Sequence, residues 1–104
     1  MRSATNHANS QSIDMNALIF PLRSLCGLTQ EQFAAKLGVT VVTVNRWENY
    51  RAKPMPLALR QLRTLLLELS QSQVKADQEI AHRLLAQYFP KDYLIHPAEP
   101  IATL

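Results

Sequence analysis

Hydrophobic residues recur at helical spacing in five stretches of this chain, separated by short polar or proline-containing segments. In the first stretch, from Asp14 to Leu25, the apolar positions at this spacing are Ala17, Leu18, Leu22 and Leu25. Pro21 lies among them, and proline removes a backbone donor and clashes with the preceding turn. The first helix is therefore either kinked at Pro21 or begins there, with Pro21 in its first turn.

The next stretch predicts two short helices joined by a glycine. Thr29 followed by Gln32 is a capping-box pattern that begins the first of them, and Gly38 ends it in the left-handed conformation. Thr40 is placed to cap the second helix. The residues expected to face inward are Phe33, Ala34, Leu37, Val44 and Trp47. The positions left outside include two valines, which are unexpected on a face that only contacts water.

Two further helices follow "RAKPMP", a proline-punctuated connection. Pro56 suits the first turn of a helix whose apolar stripe consists of Leu59, Leu62, Leu65, Leu66 and Leu69. The polar run "SQSQ" marks a break, and a last helix is predicted from about Val74 to Tyr88, ended by Pro90. The apolar face of this last helix carries Ile80, Ala81, Leu84, Leu85 and Tyr88.

The two ends of the chain differ in character. Residues 1–12 are rich in Ser, Asn and Gln and are expected to form a flexible arm, because ordering them would bury little apolar surface. The C-terminal "DYLIHPAEPIATL" contains too much proline for a helix and is too apolar for an inert tail. We expect it to lie against the core or against a partner.

Composition narrows the protein class. Hydrophobic residues make up 47% of the 104 residues and charged residues 18%, with only 2 Gly, which is typical of a soluble helical protein. No apolar run is long enough to span a membrane and the N-terminus lacks a secretory signal, so we expect a cytoplasmic protein. Residues 20–65 carry seven basic and two acidic side chains (+5), against four basic and six acidic in the remainder (−2). A basic middle segment points to a polyanionic partner.

Groups suited to catalysis or metal binding are sparse. Cys26 is the only cysteine, which excludes an internal disulfide and a cysteine metal cluster. His7, His82 and His96 are too widely separated to match a metal-ligand motif. The sequence contains no recognisable nucleophile–base pair, paired carboxylates or Gly-rich phosphate loop. We therefore expect no cofactor, no metal and no enzymatic activity.

The stretch "GLTQEQFAAKLGVTVVTVNRWEN", followed by "KP", closely resembles the phage-repressor-like (Xre-type) helix-turn-helix family of bacteria and phages. In a helix-turn-helix the second helix is laid in the major groove of DNA. The resemblance covers roughly residues 15–69. It implies an all-α fold, a compact five-helix, lambda-repressor-like domain, to which a C-terminal helix and an irregular apolar tail are added. We expect an arm at 1–12, the DNA-binding domain at 13–69, and a C-terminal region at 70–104 for dimerisation or partner contact.

The resemblance also implies which residues contact DNA. The expected recognition-helix face consists of Thr40, Val41, Val42, Asn45 and Arg46. Arg46 is suited to guanine and Asn45 to adenine, while the two valines can touch thymine methyl groups.

Contacts to the DNA backbone are implied at four further positions. Gln30, at the start of the second helix, is expected to bond a phosphate with the help of the helix N-terminus, and Thr43 can reach another. Arg51 and Lys53, on the loop after the third helix, match positions that usually hold the backbone.

Three other positions are compared with the family. Arg23 and Glu48 match positions that form a structural ion pair in relatives, linking the first helix to the end of the third. Tyr50 stands where glycine is usual after "EN". Either Asn49 adopts the left-handed conformation itself, or the loop takes another path.

The function implied is that of a sequence-specific, DNA-binding transcriptional regulator that reads the major groove with the helix from Val41 to Glu48. We expect a repressor that binds double-stranded DNA as a homodimer, associating through the leucine-rich fourth helix, the last helix, or both. The alternative is an antitoxin or adaptor-type protein-interaction module, in which the apolar segment 88–104 occupies a protein partner. This alternative is compatible with DNA binding.

Overall fold

Five α-helices make up the part of the chain that the computed structural model describes, residues 13–91. They are α1 (Asn16–Cys26), α2 (Gln30–Leu37), α3 (Val41–Glu48), α4 (Pro56–Leu69) and α5 (Lys75–Tyr88). The described residues contain no β-strand, and the predicted all-α fold is confirmed. The predicted arm at 1–12 and the tail at 92–104 lie outside the described residues.

One hydrophobic core joins all five helices. Its fully buried large side chains are Leu18, Ile19, Leu22, Phe33, Val44, Leu62, Leu66 and Leu85. The inward faces predicted for α2 to α5 are confirmed, with Leu59, Leu69, Ile80 and Tyr88 packed at the edge of the core. Because α5 contributes Ala81, Leu84 and Leu85 to this core, its apolar face is covered within the chain. Phe89 also packs against the core, so the first residues after α5 stay with the domain.

Helix α1 continues through Pro21. It begins at Asn16, so the alternative in which the helix starts at Pro21 is wrong. The Pro21 side chain is exposed, so its ring takes no space in the core. An interior proline costs roughly 3 kcal/mol, but burial of Leu18, Ile19 and Leu22 contributes about 1.5–3 kcal/mol for each side chain. The stabilisation from burying these three side chains therefore exceeds the cost of the proline.

The turn between α2 and α3 forms as the residue types predict. The Thr29 hydroxyl accepts from the Gln32 backbone N–H at 3.1 Å, and the Gln32 side chain accepts from the Thr29 N–H at 2.9 Å. This reciprocal pair is the predicted capping box. Gly38 ends α2 with φ 75°, a conformation that residues with a Cβ adopt at a cost. The Thr40 hydroxyl then caps α3 by accepting from the Thr43 backbone N–H at 3.1 Å.

The left-handed residue after α3 is Tyr50. Its φ is 59°, whereas Asn49 has φ −97°, so the alternative that Asn49 takes this conformation is wrong. Two backbone hydrogen bonds close the turn, from Tyr50 N–H to the Trp47 carbonyl (3.1 Å) and from Arg51 N–H to the Arg46 carbonyl (2.8 Å). The loop thus keeps a turn that glycine would form without strain, and the strain falls on an aromatic residue.

Replacing Tyr50 with glycine is expected to raise the free energy of unfolding by about 1 kcal/mol, since a left-handed conformation costs an L-residue about 1–2 kcal/mol and the more flexible unfolded state of glycine offsets only part of that gain. The Tyr50 side chain is 60% exposed, so little packing is lost. Thermal unfolding should show a melting temperature higher by roughly 4–8 °C. Arg51→Gly is the control, because its φ is not positive and glycine there should destabilise. Equal melting of Tyr50→Gly and the parent would show that the strain is absorbed elsewhere.

No helix among residues 13–91 combines the length and the apolar character that crossing a membrane requires.

Candidate nucleic-acid interface

Helix α3 presents a polar and apolar face outward because its other face is anchored. Val44 and Trp47 are buried against the core. On the opposite side Val42 is 60% exposed, and Asn45 and Arg46 are exposed beside it. Val41, the first residue of α3, is 37% exposed. The helix therefore holds an arginine, an amide and two valines at its surface without contributing them to the core.

The beginning of α2 lies against α3 and shares its surface. The Gln30 amide donates from Nε2 to Oε1 of Glu48 at 3.0 Å and accepts at Oε1 from Nδ2 of Asn45 at 3.3 Å. Two residues implicated separately, one for phosphate and one for adenine, are thus in direct contact. The N-terminus of α2 and the outward face of α3 form one continuous surface.

The two threonines at the start of α3 contact each other. The hydroxyl of Thr40 caps the helix and lies 2.9 Å from the hydroxyl of Thr43. Thr40 is exposed and Thr43 is half-buried. Both hydroxyls therefore lie together at the beginning of α3, and the hydroxyl of Thr40 also serves as the cap.

Asn49 belongs to this surface, although the sequence analysis did not assign it there. Its Nδ2 donates to the Asn45 backbone carbonyl at 2.9 Å and to Asn45 Oδ1 at 3.2 Å. Together with Asn45, Arg46 and Arg51 it lines a surface depression. Its spacing is the signal that could have identified it, because Asn49 follows Asn45 by four residues and continues the same helical face.

The loop that carries Arg51 and Lys53 is tied to α1 by a buried amide. Both basic side chains are exposed, while Asn16 is only 5% exposed. Nδ2 of Asn16 donates to the backbone carbonyl of Trp47 at 2.9 Å and to that of Ala52 at 2.7 Å. One side chain of α1 thereby fixes the end of α3 and the loop beyond it. Sequence reasoning missed Asn16, because a polar residue at the start of a helix looks like a capping or solvated position.

Asn16→Ala is expected to lower the free energy of unfolding by about 1–2 kcal/mol, because two hydrogen bonds are lost: the Ala52 carbonyl loses its side-chain donor and the Trp47 carbonyl keeps only the Tyr50 N–H of the two donors described. Chemical denaturation measures the change. Ser24→Ala is a suitable control, since Ser24 lies exposed on the same helix. If both variants unfold at the parent's midpoint, Asn16 does not hold the loop.

Arg23 and Glu48 form an ion pair between α1 and the last residue of α3. Nε of Arg23 lies 2.6 Å from Oε2 of Glu48, and NH2 donates to Oε1 at 3.1 Å. The side chains are 16% and 11% exposed, so the pair is largely shielded from water. NH1 of Arg23 also donates to the Leu28 carbonyl at 2.9 Å, and the guanidinium lies 5.3 Å from the centre of the Phe20 ring. Arg23 thus connects α1, the α1–α2 turn and α3.

The protonation state of Glu48 follows from opposing effects. Burial raises the pKa of Glu48, but hydrogen bonds from Arg23 and Gln30, together with the positive charge of Arg23, outweigh burial. The pKa of Glu48 therefore lies below its ordinary value, and the group is a carboxylate near neutral pH. A carboxylate can only accept hydrogen bonds, so each group that faces it must present a donor.

The lowered pKa of Glu48 predicts an acid-dependent loss of stability. Because the folded state binds this proton less readily than the unfolded state, stabilisation is present above the ordinary pKa of 4.5 and is lost as the pH falls toward the folded-state pKa. Denaturant unfolding at a series of pH values between 3 and about 7 measures it. Glu48→Gln should show a weaker dependence as the pH falls below 4.5. The same acid slope in both proteins would assign the effect to other carboxylates.

Comparison with known proteins identifies one family. A family model described as Helix-turn-helix matches residues 22–66, which run from the middle of α1 into α4 and include the whole surface described above. No curated protein and no solved structure matches the chain significantly.

Proposed function

Because residues 22–66 place the chain in the phage-repressor-like (Xre-type) helix-turn-helix family, we propose that the protein is a sequence-specific transcriptional repressor that reads the major groove with α3. The observation that carries this proposal is the exposed row of Val42, Asn45 and Arg46 on a helix whose opposite side, Val44 and Trp47, is buried. The anchored side holds the helix in place while the exposed side meets the base edges.

Base contacts are assigned by side-chain chemistry. Arg46 has the paired donors that guanine O6 and N7 accept, and Asn45 has the donor and acceptor that match adenine. Val41 and Val42 supply apolar contacts for thymine methyl groups. Repression requires only that the bound protein occupy a site needed by the transcription machinery, which a small DNA-binding domain can do.

Phosphate contacts flank the reading helix on both sides. Gln30 lies at the N-terminus of α2, where the helix end favours anions, and Thr43 lies near the N-terminus of α3. Arg51 and Lys53 extend from the loop that Asn16 holds. This arrangement supports a docking in which phosphates fix the orientation of α3 and its exposed face selects the sequence.

The proposed repressor acts as a homodimer, because one eight-residue helix reads too few base pairs to compete with the rest of a genome. The leucines of α4 at positions 62, 65 and 66 are buried within the chain and are not available for association. Met55 and Leu57, where α4 begins, are each 69% exposed and supply apolar surface for a second copy. We therefore place the dimer contact at the beginning of α4.

The test of function is selection from a randomised duplex library by the parent protein at two salt concentrations. An enriched palindrome with half-sites about 34 Å apart supports sequence-specific reading by a dimer. Binding that disappears with salt and enriches no motif would refute sequence-specific reading, since it would depend on phosphate charge alone.

The dimer is tested separately by light scattering with and without the selected duplex. Leu57→Glu is expected to give a monomer, whereas Val74→Glu should not, because Val74 is similarly exposed but lies before α5. A monomeric parent, even on DNA, would refute the dimer while leaving the reading helix in place.

A further inference from the structure

Four side chains, from the beginning of α2, from α3 and from the residue that follows α3, form a continuous chain of hydrogen bonds across the proposed reading surface. The chain begins at Glu48, whose Oε1 accepts from Gln30 Nε2 at 3.0 Å. Gln30 Oε1 accepts from Asn45 Nδ2 at 3.3 Å, and Asn45 Oδ1 accepts from Asn49 Nδ2 at 3.2 Å. One end is thus the shielded ion pair with Arg23, and the other is exposed.

The direction of the Gln30 amide, and through it that of the Asn45 amide, follows from Glu48, while the Asn49 amide is held separately by its bond to the Asn45 backbone carbonyl at 2.9 Å. The Glu48 carboxylate has no proton to give, so Gln30 must turn its NH₂ group toward it. This turns the carbonyl oxygen of Gln30 toward α3, and only the NH₂ group of Asn45 can bond to that oxygen. Asn45 Oδ1 then faces Asn49. A carboxylate on one side of the surface therefore sets which end of the Asn45 amide is the donor and which is the acceptor.

A fixed amide reads bases differently from a free one. An asparagine that can rotate its amide by 180° can donate or accept at either position and so tolerates several base edges. When its direction is fixed, the second N–H of Nδ2 is a donor at one place and the second lone pair of Oδ1 is an acceptor at another. Adenine offers the matching acceptor N7 and donor N6–H in the major groove.

We propose that Glu48 is a positioning residue for base recognition, because it orients the Asn45 amide through Gln30 and thereby makes Asn45 selective for adenine. This inference rests on the proposed DNA-reading function. It adds to the part that Glu48 plays with Arg23: the carboxylate stabilises the α1–α3 contact with both of its oxygens and uses Oε1 a second time to orient Gln30.

The test uses Gln30→Lys. This variant still presents a donor to Glu48, but it replaces the acceptor that faces Asn45 with a donor. The ammonium group that this substitution introduces has only donors, so it would pair with Glu48 but would require Asn45 to turn its oxygen toward it. Library selection is carried out with the parent, Asn45→Ala, Gln30→Lys and the control Gln87→Lys. Gln87 lies exposed on α5, so the control adds the same charge at a distance from these four hydrogen-bonded side chains.

The expected results concern the preference for adenine at one base pair of each half-site. Asn45→Ala should lose the parent's adenine preference at one base pair of each half-site, by about tenfold or more. Gln30→Lys should lose the same preference at the same base pair, and because it also replaces a proposed phosphate contact, base preference and not affinity is the readout. Gln87→Lys should keep the preference. A residue that only supported the fold would change the melting temperature and leave the base preference unchanged.

Three other outcomes would each refute the proposal, and they differ in whether the DNA-reading function survives. If the parent enriches a motif and Gln30→Lys retains the adenine preference, the orienting chain is refuted and the reading function stands. If Asn45→Ala changes no preference, Asn45 reads no base and the inference is also refuted. If the parent enriches no motif at all, sequence-specific reading fails and the inference fails with it.

Discussion

Arg23→Ala is expected to be the most destabilising of the substitutions considered, lowering the free energy of unfolding by about 3 kcal/mol. Removing one partner of a buried ion pair costs about 3–5 kcal/mol because the remaining charge is left uncompensated. The lower end applies, since the Glu48 side chain retains 11% exposure. The Leu28 carbonyl and the Phe20 ring lose their contacts with the guanidinium as well. Domains of this size are stable by about 5–15 kcal/mol, so much of the margin is lost.

The measurement is denaturant unfolding of Arg23→Ala, Glu48→Ala and the double variant. The double variant should be more stable than the sum of the two single effects predicts, because it leaves neither charge unpaired. Arg60→Ala is the control for loss of a positive charge, since Arg60 is exposed on α4. An Arg23→Ala protein that unfolds with the parent would mean that the pair contributes to neither stability nor the α1–α3 contact.

Much of the fold was predictable because its determinants are local or periodic. The capping pair Thr29 and Gln32, the glycine at position 38 and the anchors Val44 and Trp47 each act within a few residues of the chain. Their requirements depend on residue type and spacing, which the sequence displays directly. Pro21 was ambiguous because its local cost opposed burial of the α1 side chains, and only packing decides between them.

The missed features depend on contacts between residues far apart in sequence. Asn16 bonds to carbonyl groups 31 and 36 residues away, and no spacing rule connects these positions. The Asn45 amide bonds to Gln30, which is 15 residues earlier. The sequence left open which residue takes the left-handed position, because propensity favours Asn49, whereas the backbone bonds to Trp47 and Arg46 set the turn one residue later, at Tyr50.

Arg46→Ala is expected to remove sequence preference at one base pair, at a cost of up to about 3 kcal/mol on the preferred operator and much less on unrelated DNA. Its position on the outward face of α3 directs it toward a base edge, where discrimination arises from paired hydrogen bonds. Arg51→Ala removes the same charge from the following loop. That variant should weaken binding to all sequences equally and lower the slope of log affinity against log salt concentration by about 1.

Comparing these two variants on the operator and on unrelated DNA at several salt concentrations separates reading from attachment. Both arginines are exposed and line the same surface depression, so a difference between them cannot arise from net charge. If Arg46→Ala weakens binding to every sequence as Arg51→Ala does, then α3 contacts phosphate and not bases. The outward face of α3 would then attach the protein to DNA, and sequence preference would have to arise from DNA shape or from another part of the chain.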